Sequence, residues 1–154
     1  MEHRFTKSAA EDYQYWLKVD SKKIERIKLL IADIKQNHPR GVGKPGKGAL
    51  SHLHPQHLAA TVLKAIAERN KPDTATVDDI IWSTSTQKGK QGGDLGRMAA
   101  LDAGFDIRSS GMTLDRFCGG GITAVNLAAA QIMSGMEDCV VAGGTEMMSL
   151  TTTM

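Results

Sequence analysis

Cysteine, proline and aromatic residues are scarce in this chain. Its 154 residues include two cysteines, Cys118 and Cys139, four prolines and 5% aromatics. Two thiols cannot build a disulfide framework and suit a reducing compartment. No apolar run approaches the roughly 20 residues that cross a bilayer, and the polar start MEHRFTKSAAEDYQ lacks a signal-peptide core. We therefore expect a cytoplasmic protein with no membrane partner.

The chain also has almost no excess of charge, but its charge is unevenly distributed. The net charge of +2 gives no argument for binding nucleic acid. Residues 1–46 carry ten Lys or Arg against six Asp or Glu, whereas residues 47–154 carry nine against eleven. The two parts thus differ in character, and we expect no nucleic-acid partner.

The basic part predicts a short strand followed by an α-helical hairpin. Ser8 and Glu11 have capping-box spacing at the start of the first helix. The second helix has one apolar stripe, formed by Ile24, Ile27, Ile31 and Ile34. The segment HPRGVGKPGKG then holds four glycines and two prolines, too many for a regular element. We therefore divide the chain into residues 1–38, a junction at 39–49, and residues 50–154.

Beyond the junction, helical and strand-like segments alternate. Helices are predicted in PQHLAATVLKAIAERN, GGDLGRMAALDAG and GITAVNLAAAQIMSG, the last two ended by Gly104 and Gly135. Strands are predicted in DDIIWSTS, GMTLDRF and DCVVAGG. The first helix is expected to bury Leu58, Val62, Ala65 and Ile66. This alternation predicts an α/β fold, a parallel sheet covered by helices.

Cys118 lies between a predicted strand and three glycines, in LDRFCGGGITAVN. In open parallel sheets, functional groups gather where strands lead into helices. A thiolate at this helix start would face unpaired N–H groups and the positive end of the helix dipole, as an acyl-accepting cysteine requires. From the residues alone, a small buried Cys118 is an open alternative, because no base lies nearby in sequence. Cys139, in an apolar strand, is predicted to be core.

Several motifs in register resemble the thiolases, the acetyl-CoA acyltransferases. LDRFCGGGITAVNLAA followed by SGMEDCVVAGGTEMMS is similar to the family's nucleophile segment and next strand. VDDIIWSTSTQKGKQGGDLGRMAALDAGF and RGVGKPGKGALSHLHPQHLAATVLKAIAERN resemble earlier parts of the same domain, so the resemblance runs from about Arg40 to Ser149. It implies a partial thiolase-like αβαβα half-domain with parallel strands.

This resemblance implies an acyl-CoA acyltransferase with Cys118 as its catalytic residue. In the family reaction a cysteine carries the acyl group as a thioester between 3-ketoacyl-CoA and coenzyme A, and its backbone N–H contributes to an oxyanion hole. Acyl-CoA and coenzyme A would be substrates, with no permanently bound cofactor and no metal; cofactor-binding residues are unassigned. Gly143, Gly144 and Glu146 match the family's GGxExMS stretch, which we interpret as structural.

The sequence also departs from the thiolase pattern. Gly120 stands where the family has a serine, Asp94 where it has an asparagine, and Gly96 where it has an alanine. Within a helix, glycine in place of alanine is expected to lower stability by about 1 kcal/mol. The family's activating histidine and second cysteine have no match here, and His52, His54 and His57 are predicted to lie on a solvated surface. We therefore expect a truncated domain whose sheet lacks its central strand, with at most single-turnover acylation.

Residues 1–38 resemble the start of RelE/YoeB-like toxins, through RFTKSAAEDYQYWLKVDSKKIERIKLLIADI. Those toxins cut mRNA on the ribosome with residues on later strands that this chain lacks, so the basic hairpin is interpreted as a solvated face. We hypothesise a chimeric chain. Two other functions stay open: a non-catalytic protein that forms a homo-oligomer or pairs with a complementing thiolase fragment, and a toxin-like module.

Overall fold

The computed structural model describes residues 50–151 of the chain. Its helices are α1 Pro55–Asn70, α2 Leu95–Asp102, α3 Gly120–Ser134 and α4 Met148–Thr151, and its strands are β1 Asp79–Ser83, β2 Met112–Leu114 and β3 Val140–Gly144. The three predicted helices and three predicted strands are confirmed, although β2 is shorter than predicted and α4 was not predicted. The hairpin predicted in residues 1–38 and the junction at 39–49 lie outside the described residues.

The three strands form a parallel sheet in the order β2-β1-β3. In the shared register, Ile81 of β1 aligns with Met112 on one side and with Ala142 on the other. Every residue of β1 is buried, as expected for a strand with neighbours on both edges. Within residues 50–151, therefore, no gap separates the strands. The expectation of a sheet without its central strand is wrong for this region, because β1 occupies the centre.

Helices cover both faces of the sheet. On one face, Ile80 and Trp82 pack in a cluster with Leu63 of α1 and Ala99 of α2. On the other face, Ile81, Val140 and Ala142 pack against the α3 residues Ala124, Ala128 and Ile132. Alternate side chains of β1 thus serve two separate cores. This three-layer arrangement confirms the predicted α/β class.

The buried face of helix α1 is only partly the predicted one: Ile66 packs against the core as expected, but Val62 does not. Ala59 and Leu63 are fully buried, whereas Val62 is 47% exposed. The prediction gave most weight to the larger side chains, but small residues allow α1 to approach α2 closely, and these two helices are in direct contact. His54 precedes the helix and caps it, since its Nδ1 accepts a hydrogen bond from the Gln56 N–H at 3.3 Å.

Close backbone packing explains the glycine within α2. A Cβ atom at Gly96 would lie 2.8 Å from the Met112 carbonyl oxygen and 2.9 Å from Trp82 Cβ. The expected cost of Gly96 in helix propensity is therefore outweighed, because a side chain here would force α2 away from the sheet. The predicted ends at Gly104 and Gly135 are confirmed, with φ of 83° and 78° in the left-handed region that glycine favours.

Helix α3 and the turn before it form the most apolar long segment that the structure describes. By length and composition, Phe117–Ser134 could cross a membrane, with a mean hydropathy of 1.2, and only 22% of it is buried. Its contacts with β1 and β3 are those of a helix that covers a sheet. Its other side carries Ile122, which is 72% exposed. The outer side of α3 is thus apolar and uncovered by residues 50–151.

Candidate active site

A cleft of about 1010 Å³ opens where β1 and β3 end and α3 begins. Cys118 lines this cleft together with the loop after β1, the segment from Ala142 to Glu146, and the first turns of α3. The carboxyl ends of parallel strands meet at one edge of a sheet, which is where ligands bind in open α/β folds. The structure therefore places the predicted cysteine at the edge of the sheet where the strands have their carboxyl ends.

The turn that carries Cys118 is tight and strained. The Asp115 carboxylate accepts a hydrogen bond from the Phe117 N–H at 3.0 Å. Phe117 has a φ of 43°, in the left-handed region, which costs a side-chain-bearing residue roughly 1–3 kcal/mol. The Cys118 thiol is exposed and free of any disulfide. The alternative in which Cys118 is a small buried hydrophobe is therefore wrong.

Helix α3 begins directly after this turn without a side-chain cap, because its N-cap residue is Gly119. The N–H groups of Gly119 and Gly120 donate to the carbonyl oxygens of Arg116 and Phe117. No hydrogen bond within residues 50–151 uses the N–H of Cys118. This amide and the positive end of the helix dipole lie next to the thiol, where both favour a developing negative charge.

Ser83, the last residue of β1, packs directly against the turn that carries Cys118. A Cβ atom at Gly120 would overlap the Ser83 hydroxyl oxygen and lie 2.9 Å from Ser83 Cβ. A Cβ atom at Gly144 would lie 2.7 Å from the Ser83 carbonyl oxygen. The serine that the thiolase pattern has in place of Gly120 therefore does not fit here, since Ser83 occupies its space. This departure from the pattern has a steric reason.

Gln91 and Glu146 join the loops on either side of the cleft, and we call this pair the clasp. One Glu146 oxygen accepts hydrogen bonds from the Ser85 N–H at 2.6 Å and the Thr84 hydroxyl at 3.2 Å. The other accepts from Gln91 Nε2 at 3.1 Å. Burial opposes ionisation of Glu146, but the hydrogen bonds from Ser85, Gln91 and Thr86 outweigh it and hold the pKa of Glu146 below its usual value.

Sequence reasoning missed Gln91 altogether. It lies in QKGKQGGD, a loop without hydrophobic periodicity, and its partners are 5 to 56 residues away in the chain. The available signal was an uncharged polar residue in a loop otherwise rich in lysine and glycine. Glu146 was recognised only as part of a family motif, and its hydrogen bonds agree with the structural role given to it.

The other residues singled out in the sequence lie away from the cleft. Cys139 is half-buried against the core shared by α1 and α2, and its N–H donates to Asp78 at 2.8 Å. His57 Nδ1 pairs with the Asp102 carboxylate at 2.6 Å on the surface, and His52 is exposed. In the part of the chain that the structure describes, no three His, Cys, Asp or Glu side chains are arranged to hold a metal ion.

Two family models match the chain. The model of the thiolase N-terminal domain matches residues 40–154. The model of the YoeB-like toxin of bacterial type II toxin–antitoxin systems matches residues 5–57, so residues 40–57 are matched by both. Both resemblances found in the sequence are therefore confirmed, whereas the boundaries at 38 and 50 stay predictions.

Individual relatives agree with the larger of these matches. A 3-ketoacyl-CoA thiolase of Psychrobacter cryohalolentis is 38% identical over 107 residues, which are 70% of this chain and 27% of the relative. A steroid 3-ketoacyl-CoA thiolase of Mycobacterium tuberculosis is 41% identical, over 70% of this chain and 26% of the relative.

Among solved structures, the acetyl-CoA acetyltransferase of Bacillus anthracis superposes with a TM-score of 0.61 at 37% identity, over 66% of this chain and 25% of that one. The chain thus spans about a quarter of the length of the relatives it matches.

Proposed function

The chain belongs to the thiolase family through its residues 40–154, and we propose that this part accepts an acyl group on Cys118. The Cys118 thiol releases its proton to water, and the thiolate attacks the carbonyl carbon of an acyl-CoA. A new thioester forms, and the bond to the coenzyme A sulfur breaks. Coenzyme A leaves as a thiolate and takes up a proton from water. The observation that supports this most directly is an exposed thiol in a cleft at the uncapped start of α3.

The N–H of Cys118 would stabilise the oxyanion that forms during this attack. One preorganised donor of this kind contributes roughly 10²- to 10³-fold in rate. The apolar side chains of Phe117, Val125 and Met148 line the same cleft and would contact the acyl chain. The substrate class is therefore an acyl-CoA thioester, with coenzyme A as the second substrate of the full thiolase reaction.

We propose that this chain by itself performs one acylation and no steady-state turnover. Apart from Cys118, Glu146 is the only titratable side chain among the described residues that line the cleft. Its two oxygens already accept hydrogen bonds, one from the Ser85 N–H and the other from Gln91 Nε2. Repeated turnover needs a group that takes up and returns protons. Steady-state thiolysis of a 3-ketoacyl-CoA by the purified chain would contradict this proposal.

Intact-mass analysis after incubation with acetyl-CoA tests the acylation. We expect one acetyl group, mapped to Cys118, which is absent in Cys118→Ser and kept in the matched variant Cys139→Ser. Labelling should disappear in urea, because the activating turn unfolds. Equal labelling of both cysteines, or labelling that survives unfolding, would mean that Cys118 is not activated by the fold.

The outer side of α3 favours a second proposal, a surface for association. Ile122 is 72% and Leu127 37% exposed, which leaves apolar area of the kind that partners cover. We propose further thiolase sequence as the partner, since the chain spans about a quarter of its relatives. Co-purification with the remaining part of a relative should be lost in Ile122→Ser and kept in Met136→Ser, a residue of equal exposure at 71%. Self-association of the chain alone would instead favour a homo-oligomer.

We propose a cytoplasmic location, and no ribonuclease function for the toxin-like residues 5–57. Ribosome-dependent cleavage of mRNA by the purified chain would contradict the second statement.

A further inference from the structure

We propose that Gln91 and Glu146 are positioning residues for Cys118. The clasp fixes the loop on which the cysteine turn rests, and thereby holds the thiol in its reactive position. The proposal rests on the acyl-accepting role of Cys118, but it concerns residues that do not touch the reacting atoms.

Gln91 is built into the structure to an unusual degree for a polar side chain. It is fully buried, with 0% exposure. Its Nε2 donates to the Thr86 carbonyl and to Glu146 Oε1, both at 3.1 Å, and its Oε1 accepts from the Met147 N–H at 2.6 Å. A buried amide whose two donors and oxygen are all hydrogen-bonded rigidifies its surroundings, and it is expensive to disturb. Gln91 therefore locks the loop after β1 to the loop after β3.

The locked loop touches the cysteine turn on both sides. Glu146 holds Thr84 and Ser85, the two residues that follow β1. The Thr84 N–H donates to the carbonyl of Leu114, four residues before Cys118, at 3.0 Å. Ser83 packs against Gly120, two residues after Cys118. Movement of this loop would therefore shift the ends of the turn that carries the thiol.

Geometry also excludes a direct chemical role for the clasp in its present arrangement. Glu146 oxygens accept four hydrogen bonds from Thr84, Ser85, Thr86 and Gln91, so the carboxylate is satisfied as an anion. An acceptor engaged in this way is a poor base for a thiol. Its contribution comes through the loop, and positioning of this kind is sensitive because a displacement near 1 Å can reduce a rate by about 10²-fold.

The main test is Gln91→Glu, which replaces the Nε2 donor by an oxygen opposite Glu146 and the Thr86 carbonyl. We expect alkylation of Cys118 by iodoacetamide and its acetylation by acetyl-CoA both to slow by roughly tenfold or more. The pH profile of alkylation should also move, since the thiol no longer lies at the same place against the start of α3. The double variant Gln91→Glu with Glu146→Gln exchanges the two side chains, so that one amide again faces one carboxylate. It should recover part of the lost alkylation and acetylation rates.

Two further variants keep the test decisive. Thr84→Val removes one hydrogen bond to Glu146 without opposing charges, so it should fold and show a smaller loss in the same direction. Leu63→Ala weakens the core on the opposite face of the sheet and should leave the pH profile of Cys118 unchanged in the folded protein. Folded Gln91→Glu or Thr84→Val with wild-type alkylation would overturn the proposal, as would an equal change in Leu63→Ala.

The two thiol reagents separate this proposal from the proposed function. If wild-type Cys118 reacts with iodoacetamide faster than Cys139 but takes no acetyl group, acyl transfer fails while the alkylation data still decide on the clasp. If wild type is acetylated and the clasp variants are acetylated equally fast, the positioning role fails while the proposed function stands.

Discussion

Helices α2 and α3 each follow a strand of the same sheet, yet they begin in opposite ways. Asp94 caps α2, accepting hydrogen bonds from the Arg97 N–H at 3.1 Å and from the Thr113 hydroxyl at 2.8 Å. Helix α3 follows a left-handed Phe117 and has only Gly119 as its N-cap. The start of α2 is satisfied within the protein and stabilises it, whereas the start of α3 leaves its dipole open to a ligand and strains the chain.

The largest expected effect on stability tests the close packing of the start of α3 against β1. Gly120→Ala should lower the free energy of unfolding by about 3 kcal/mol, because its Cβ atom overlaps Ser83. Urea denaturation followed by circular dichroism measures this. Gly121→Ala is the matched control: nothing lies within 4 Å of its Cβ position, so a gain of about 0.5–1 kcal/mol is expected. Adding Ser83→Gly to Gly120→Ala should recover most of the loss, and no recovery would contradict the steric explanation.

The next effect concerns the close packing of α2 against the sheet. Gly96→Ala should destabilise the protein by about 2 kcal/mol, since Met112 and Trp82 leave no room for a methyl group. Helix propensity alone predicts a gain of about 1 kcal/mol, so the sign of the change decides between the two. Met98→Ala, at an exposed position of the same helix, should change stability by less than about 0.5 kcal/mol.

A third prediction exchanges the two kinds of helix start. Asp94→Ala removes the cap of α2 and should cost about 1 kcal/mol, measured by urea denaturation. Gly119→Ser adds a cap to α3 and should stabilise the protein by a few tenths of a kcal/mol, about the difference between these residues at an N-cap. It should also slow alkylation of Cys118, because the new hydroxyl satisfies amides that otherwise favour the thiolate. Gly119→Ala adds only a methyl group in ordinary contact with Arg116 and should react like wild type.

The smallest effect is a change in how stability depends on pH. The pKa of Glu146 is lower in the folded protein than its usual 4.5. The stabilisation by Glu146 is therefore complete above its unfolded pKa, and is lost as the pH falls through the folded one. Urea midpoints measured from about pH 5 to pH 3 should fall less steeply in Glu146→Gln. Asp106, whose pKa Arg108 lowers to about 2, belongs to an exposed pair, so Asp106→Asn should change the slope less.

Much of the fold follows from local patterns. Apolar periodicity and the terminal glycines located α1, α2 and α3, and the apolar run around Val140 located β3. The buried face of α1 could not be predicted in this way, because it depends on which small residues meet α2. The central place of β1 is likewise a property of strand pairing, which no single segment encodes.

In the candidate site, too, the feature with a local sequence pattern was predicted and the tertiary contacts were not. Cys118 was found from its motif and from its place between strand and helix. The connection of its supporting residues to Cys118 was not, since Ser83 at the end of β1, Gln91 in the loop that follows and Glu146 after β3 come together through contacts that bridge up to 62 residues of chain. Even the steric reason for Gly120 depends on a serine 37 positions earlier, which no local pattern connects to it.

Trp82 is a natural fluorescent reporter of the cleft that contains Cys118. Its indole is 1% exposed, lies under Gly143 at the end of β3, and donates from Nε1 to the Thr145 hydroxyl at 3.1 Å, on the wall of the cysteine cleft. The chain has one other tryptophan, Trp16. With Trp16→Phe, the fluorescence of the protein would come from a single indole that joins both strands beside the cleft. Its emission would then follow, in real time, the pairing of β1 with β3 and the arrival of an acyl chain.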